Sequence, residues 1–122
     1  MLGLADPAQA YRRVDFEAHV AGLAGPDLVR LCFEDLESAL DRALWAHGQQ
    51  RPDIRRKALE RAQLGLTVLL SGLDRDNPVS QPLDTFYRSM ILRLTGSLRQ
   101  FDARAIAGVR ADISDIARSF FG

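Results

Sequence analysis

Apolar side chains return every three or four positions along four segments of the chain, and each run is bounded by residues that start or stop helices. The first predicted helix runs from about Pro26 to His47, with an apolar face of Leu28, Leu31, Cys32, Leu36, Ala39, Leu40 and Ala43. Proline suits a first turn, where its missing N–H has no partner to lose, and Gly48 is expected to supply the left-handed residue that ends the helix. The second covers about Pro52 to Leu73 and faces inward with Ile54, Ala58, Ala62, Leu66, Leu69 and Leu73; Asp74 to Pro78 then reads as a loop. The third begins near Ser80, read as an N-cap, and continues to about Gln100. Its line is Leu83, Phe86, Tyr87, Met90 and Leu94. The fourth opens on Asp102 as N-cap and carries Ile106, Val109, Ile113, Ile116 and Phe120 at heptad-like spacing.

No segment alternates with a period of two, so strands are not expected. Short connections between helices of about 20 residues favour antiparallel neighbours. The predicted fold is therefore all-α, an antiparallel up-down four-helix bundle over residues 26–122 with an N-terminal cap segment, residues 1–25, that is partly mobile. Pro7, Gly22 and Gly25 interrupt that first segment, while Tyr11, Val14 and Phe16 offer side chains to lay it on the bundle.

At 122 residues the chain is long enough to bury a core without disulfides or metal, and Cys32 is its single cysteine. Cys32 lies among leucines, where a thiol behaves as a small hydrophobe. Sixteen basic side chains balance sixteen acidic ones, which argues against nucleic acid or an anionic membrane as a general partner. The first residues form no secretory leader, because Asp6 and Pro7 interrupt them early. Leu64 to Leu70, the longest apolar run, falls far short of the roughly 20 residues of a membrane span. The expectation is a soluble, cytoplasmic protein with no membrane insertion.

Candidate chemistry is sparse. His19 and His47 have no cysteines or carboxylates at metal-ligand spacing, so no metal and no cofactor is expected. Arg42 and His47, like Arg13 and His19, fit the Arg-x4-6-His spacing of HEPN-like ribonucleases, in which histidine moves a proton and arginine holds phosphate. That family carries the motif near its last helix, not its first, and the spacing is loose. A histidine phosphotransfer role for His19 is opposed by the glycines that follow it. Along the second helix Arg51, Arg55, Arg56, Lys57 and Arg61 outnumber Asp53 and Glu60; such a run is ordinarily a solvated face, with docking of an acidic partner as the alternative. Glu34, Asp35, Glu37 and Asp41 are read as keeping the first helix soluble.

More telling are apolar residues that fall off the inward lines: Phe33, Leu44, Trp45, Leu64, Val68, Ile91, Leu92 and Phe121. Some of them cover neighbouring helices, but together they exceed what four helices hide. Contiguous apolar surface marks a partner site, and interhelical grooves accept amphipathic helices.

Several local patterns resemble the flagellin-specific export chaperones, the FliS family. Ala10-Tyr11 matches the family's opening pair, and Leu28-Val29-Arg30-Leu31-Cys32-Phe33-Glu34 matches the start of its first bundle helix. Arg61-Ala62 with Leu66, Leu69 and Leu73 matches its second helix. Leu83, Phe86, Tyr87, Met90, Arg93 and Leu94 match its third in register, and Arg118-Ser119-Phe120-Phe121 puts Phe121 where the family often has tryptophan. Departures fall in the interval from Tyr11 to Pro26, in the loop from Asp74 to Leu83, and at Asp35, where the family has glycine. The resemblance implies a non-catalytic chaperone that binds the disordered C-terminal segment of flagellin, prevents its polymerisation in the cytoplasm, and delivers it to the flagellar export gate. The partner-binding residues expected on this basis are Tyr11, Phe33, Leu64, Val68, Tyr87, Ile91, Leu92 and Phe121. A homodimer is left open. The alternatives are a bundle adaptor for another protein and, behind it, the HEPN-like ribonuclease.

Overall fold

The computed structural model describes residues 25–122, with side chains from Asp27 onward. Its elements are four helices, α1 (Gly25–Gly48), α2 (Pro52–Ser71), α3 (Ser80–Arg99) and α4 (Ala103–Phe121), and no strand occurs among the described residues. The expected cap segment, with Tyr11, lies outside the described residues, as do Arg13 and His19.

Each helix end has a local cause, and two differ from expectation. At the end of α1 the helix runs through Gly48, and the left-handed residue is Gln50 at φ 56°. The Gln50 N–H donates to the His47 carbonyl (3.1 Å) and the Arg51 N–H to the Ala46 carbonyl (2.9 Å). This crossed pair satisfies the last carbonyls of the helix two positions later than a Gly48 stop allows. Pro52 then opens α2, and Asp53 sits in its first turn. Ser80 is the first residue of α3 rather than its cap. Val79 already has helical angles, φ −72° and ψ −17°, and the Asn77 side chain accepts from the Val79 N–H at 2.9 Å. Asn77, buried in the loop, therefore holds the entry to α3. Asp102 caps α4 as expected, accepting from the Ala105 N–H at 3.1 Å.

The core is built from one stripe per helix. In α1 it is Val29, Phe33, Leu36, Leu40 and Ala43; in α2, Leu59, Ala62, Leu66 and Leu69; in α3, Leu83, Tyr87, Met90 and Leu94; in α4, Ile106, Val109 and Ile113. Leu31 and Phe86, both expected inside, are 51% and 48% exposed. Phe33, expected off the inward line, is 1% exposed. One choice explains all three. Neighbouring residues are turned about 100° on a helix, so once Phe33 and Tyr87 take the core stripe, Leu31 and Phe86 point away from it. Ile54, Ile116 and Phe120 are half-buried.

α1 packs against α2 and α4, and α3 packs against the same two helices. Each of the four seams is crossed by a polar contact. Arg61 meets Asp35 between α1 and α2 at 2.7 Å. Gln63 donates to Thr95 between α2 and α3 at 2.7 Å. Arg93 meets Asp112 between α3 and α4 at 3.0 Å. Arg110 reaches Asp41 and Glu37 between α1 and α4, at 2.9 and 3.2 Å. The acidic residues of α1 thus do more than face water: Asp35, Glu37 and Asp41 clasp cations of the two adjoining helices.

Candidate functional site

The eight residues expected to meet a partner fall in different places. Leu64, Val68 and Leu92 are 64%, 44% and 72% exposed, and Ile91 is half-buried against the core. Leu64 stands two residues from both Ala62 and Leu66, and Leu92 two from both Met90 and Leu94. Two positions on a helix are about 200° apart, so both leucines stand on the outer crests of α2 and α3. The Gln63–Thr95 hydrogen bond marks the flank of α2 that meets α3. Leu64 lines a hollow with Asp35 and Arg61 on the α1 flank of α2, and Val68, seven positions from Arg61, falls on that flank too. Leu92 stands on the outer crest of α3, and Ile91 alone, one turn before Thr95, turns toward the α2 seam.

Phe33, Tyr87 and Phe121 lie elsewhere. Tyr87 is fully buried in the core. Phe33 is buried in an aromatic corner where the start of α1 meets the end of α4, its ring 5.3 Å from Phe120 and 6.1 Å from Phe121. The Arg30 guanidinium lies 4.9 Å from the centre of the half-buried Phe121 ring. In the described structure Phe33 and Tyr87 therefore act in packing, and Phe121 lies on a face separate from Leu64 and Leu92.

Two exposed apolar residues were missed by the periodic reading. Leu31 lies one turn before Asp35, while Leu64 and Val68 lie one and two turns beyond Arg61. Since α1 and α2 pair in reverse order, as Asp35–Arg61 and His47–Arg55 attest, Leu31 falls on the same side of the Asp35–Arg61 clasp as Leu64 and Val68. It joins them on the α1–α2 flank. Phe86 lies on the other flank of α3, the one that carries Arg93 toward α4. Leu31 sits two positions from both Val29 and Phe33, a spacing that points outward, whereas Phe86, three from Leu83 and four from Met90, gives no such signal. Trp45, read as off the inward line, is exposed at the far end of α1.

The remaining candidates take structural positions. The His47 ring stacks on Phe101 with centroids 4.4 Å apart, and its Nδ1 lies 3.2 Å from an Arg55 nitrogen, so Nδ1 accepts there. Arg42 instead lines an open hollow between α1 and α2 with Asp35, Lys57 and Arg61. Cys32 is half-buried against the core, and burial first, then Asp35, pushes its thiol above the ordinary cysteine range. It stays protonated and packs as a hydrophobe. No cluster of three or more His, Cys, Asp or Glu side chains suited to a metal occurs among the described residues. Nor is any described helix long and apolar enough to cross a membrane.

The described residues form an all-α four-helix bundle that leaves Leu31, Trp45, Leu64, Val68, Phe86 and Leu92 exposed. Residues 7–120 match the family model described as flagellar protein FliS, and the chain belongs to the FliS family of flagellar chaperones. No curated protein matches the chain.

Proposed function

We propose that this chain is a cytoplasmic, non-catalytic chaperone that binds the disordered C-terminal segment of flagellin, holds it from polymerising, and hands it to the flagellar export gate. The observation that carries the reading is the outward face of α2, where Leu64 and Val68 stand exposed, together with Leu92 on the outer crest of α3. A disordered client loses chain entropy when it orders, and apolar burial along a helix face is what offsets that loss. Membership of a flagellar chaperone family supports the same reading. Tyr11 is proposed to lay the N-terminal segment over part of this face and to compete with the client there.

Leu92→Asp is the cleanest test, because the side chain is 72% exposed and Ile91, which touches the core, is left alone. Burying one leucine is worth roughly 1.5–3 kcal/mol, and a tenfold change in affinity needs about 1.4 kcal/mol. Calorimetric titration with a flagellin C-terminal peptide should show at least about tenfold weaker binding by Leu92→Asp and by Leu64→Asp. Thermal melts of both variants should match the parent. Undiminished affinity in both would move the client to another face.

A further inference from the structure

The flank between α1 and α2 changes character at one ion pair. The Arg61 Nε–H is shared by both Asp35 oxygens at 3.0 Å, and Nη2 donates to Oδ1 at 2.7 Å. Behind the pair the seam is closed, since Leu36 and Ala62, the next residue on each helix, are 1% and 0% exposed. To one side stand Leu31, one turn before Asp35, and Leu64 and Val68, one and two turns beyond Arg61. To the other side Arg42, Lys57 and Glu60 border the same flank. Among the described residues no large apolar side chain of α2 is exposed before Leu64, and on α1 the next after Leu31 is Trp45, at the far end. Exposed apolar surface therefore stops at Asp35–Arg61 on both helices at once.

We propose that the Asp35–Arg61 pair sets the register of the bound client segment by rejecting an apolar side chain where the apolar surface ends. This rests on the reading that the client lies on the exposed apolar residues of α2. A leucine laid on the pair would strip water from two charged groups and return no hydrogen bond. A polar side chain, by contrast, can meet the guanidinium N–H groups that Asp35 leaves unused, on an arginine that is 67% exposed. The pair carries no net charge, so it sorts client residues by polarity and not by sign. Apolar attraction alone would let a segment slide along the flank. A penalised position at the boundary removes the slipped registers.

The test is a leucine scan of a flagellin C-terminal peptide, each polar residue replaced in turn, titrated calorimetrically against the full chain. With the parent, leucine at the boundary position is expected to weaken binding by about tenfold. The Asp35→Leu/Arg61→Leu double variant removes both charges together and should bind that substituted peptide as tightly as the unsubstituted one. The charge-reversed Asp35→Arg/Arg61→Asp variant keeps an ion pair and should restore the discrimination. A nitroxide at one end of the peptide should broaden one set of residues in the parent and two sets in the double leucine variant. A scan with no position that the double variant relieves, or a broadening pattern unchanged in that variant, would overturn the proposal. Leu64→Asp separates the two claims. Where it weakens binding and the scan stays flat, the client site stands and the register role falls; where it leaves affinity intact, both fall.

Discussion

Gln50 adopts φ 56°, the only positive φ among the non-glycine described residues, and it does so where a helix with crossed terminal hydrogen bonds requires one. An L side chain there costs roughly 1–2 kcal/mol, part of which glycine returns as unfolded-state entropy. Gln50→Gly is therefore expected to stabilise the fold by about 0.5–1 kcal/mol in denaturant unfolding; a loss of stability would mean that the Gln50 side chain contributes more than its backbone costs. Asp84 is a second informative residue. It receives Arg88 at 2.6 Å and Arg75 at 2.5 Å, and Arg75 also reaches the Leu70 carbonyl, so one carboxylate ties the α2–α3 loop to α3. Arg88 first, then Arg75, holds its carboxyl below the usual aspartate range. A lowered folded-state pKa stabilises the fold above the unfolded value near about 4, and that contribution disappears as pH falls through the folded value. As pH falls below about 4 the parent should lose stability more steeply than Asp84→Asn, read as the midpoint of thermal unfolding at each pH. Parallel curves would show that the two arginines add nothing.

At the scale of elements, the existence and type of all four helices were legible because the three-and-four spacing persists through about 20 residues in each. The ends were less so. Gly48 carried the expected stop signal, but the Ala46 and His47 carbonyls found their partners further on, and Asn77 took the capping role that Ser80 was given. Facing was ambiguous wherever apolar residues fall on both sides of the stripe, as in Leu31–Phe33 and Phe86–Tyr87, since only tertiary packing decides which member turns in. The seam contacts were not legible at all, because Arg110 meets Glu37 and Asp41 across about seventy residues of chain. Arg110 is held charged mainly by Asp41 and also bonds Ser114, which itself donates to Glu37 at 3.0 Å. Arg110→Ala should cost about 1–2 kcal/mol, since it leaves a partly buried Glu37 without its cation; chemical denaturation measures this, and no change would reduce the cluster to a surface ornament. Gly65 tests packing at the α1–α2 seam from the other side. A Cβ there would sit 3.9 Å from Leu36, an ordinary contact, and alanine is a better helix former by about 0.5–1 kcal/mol. Gly65→Ala should therefore raise the melting temperature.

For the whole molecule, three surfaces with different characters emerge among the described residues: the exposed apolar side chains of α2 and α3, the hollow between α1 and α2 lined by charges of both signs, and the aromatic corner where α1 meets α4. Of the predicted partner residues, those on outward crests were legible from surplus apolar positions, whereas Phe33 and Tyr87 turned out to be core and could not be told apart by spacing. The central claim is that the exposed apolar residues of α2 and α3 receive the flagellin segment. Chemical-shift mapping of the isotope-labelled chain during titration with a flagellin C-terminal peptide tests it most directly. The account predicts that the largest saturable shifts fall on Leu64, Val68, Ile91 and Leu92, with Leu31 following. Shifts centred on Phe33, Phe120 and Phe121, with those residues of α2 and α3 unmoved, would contradict it.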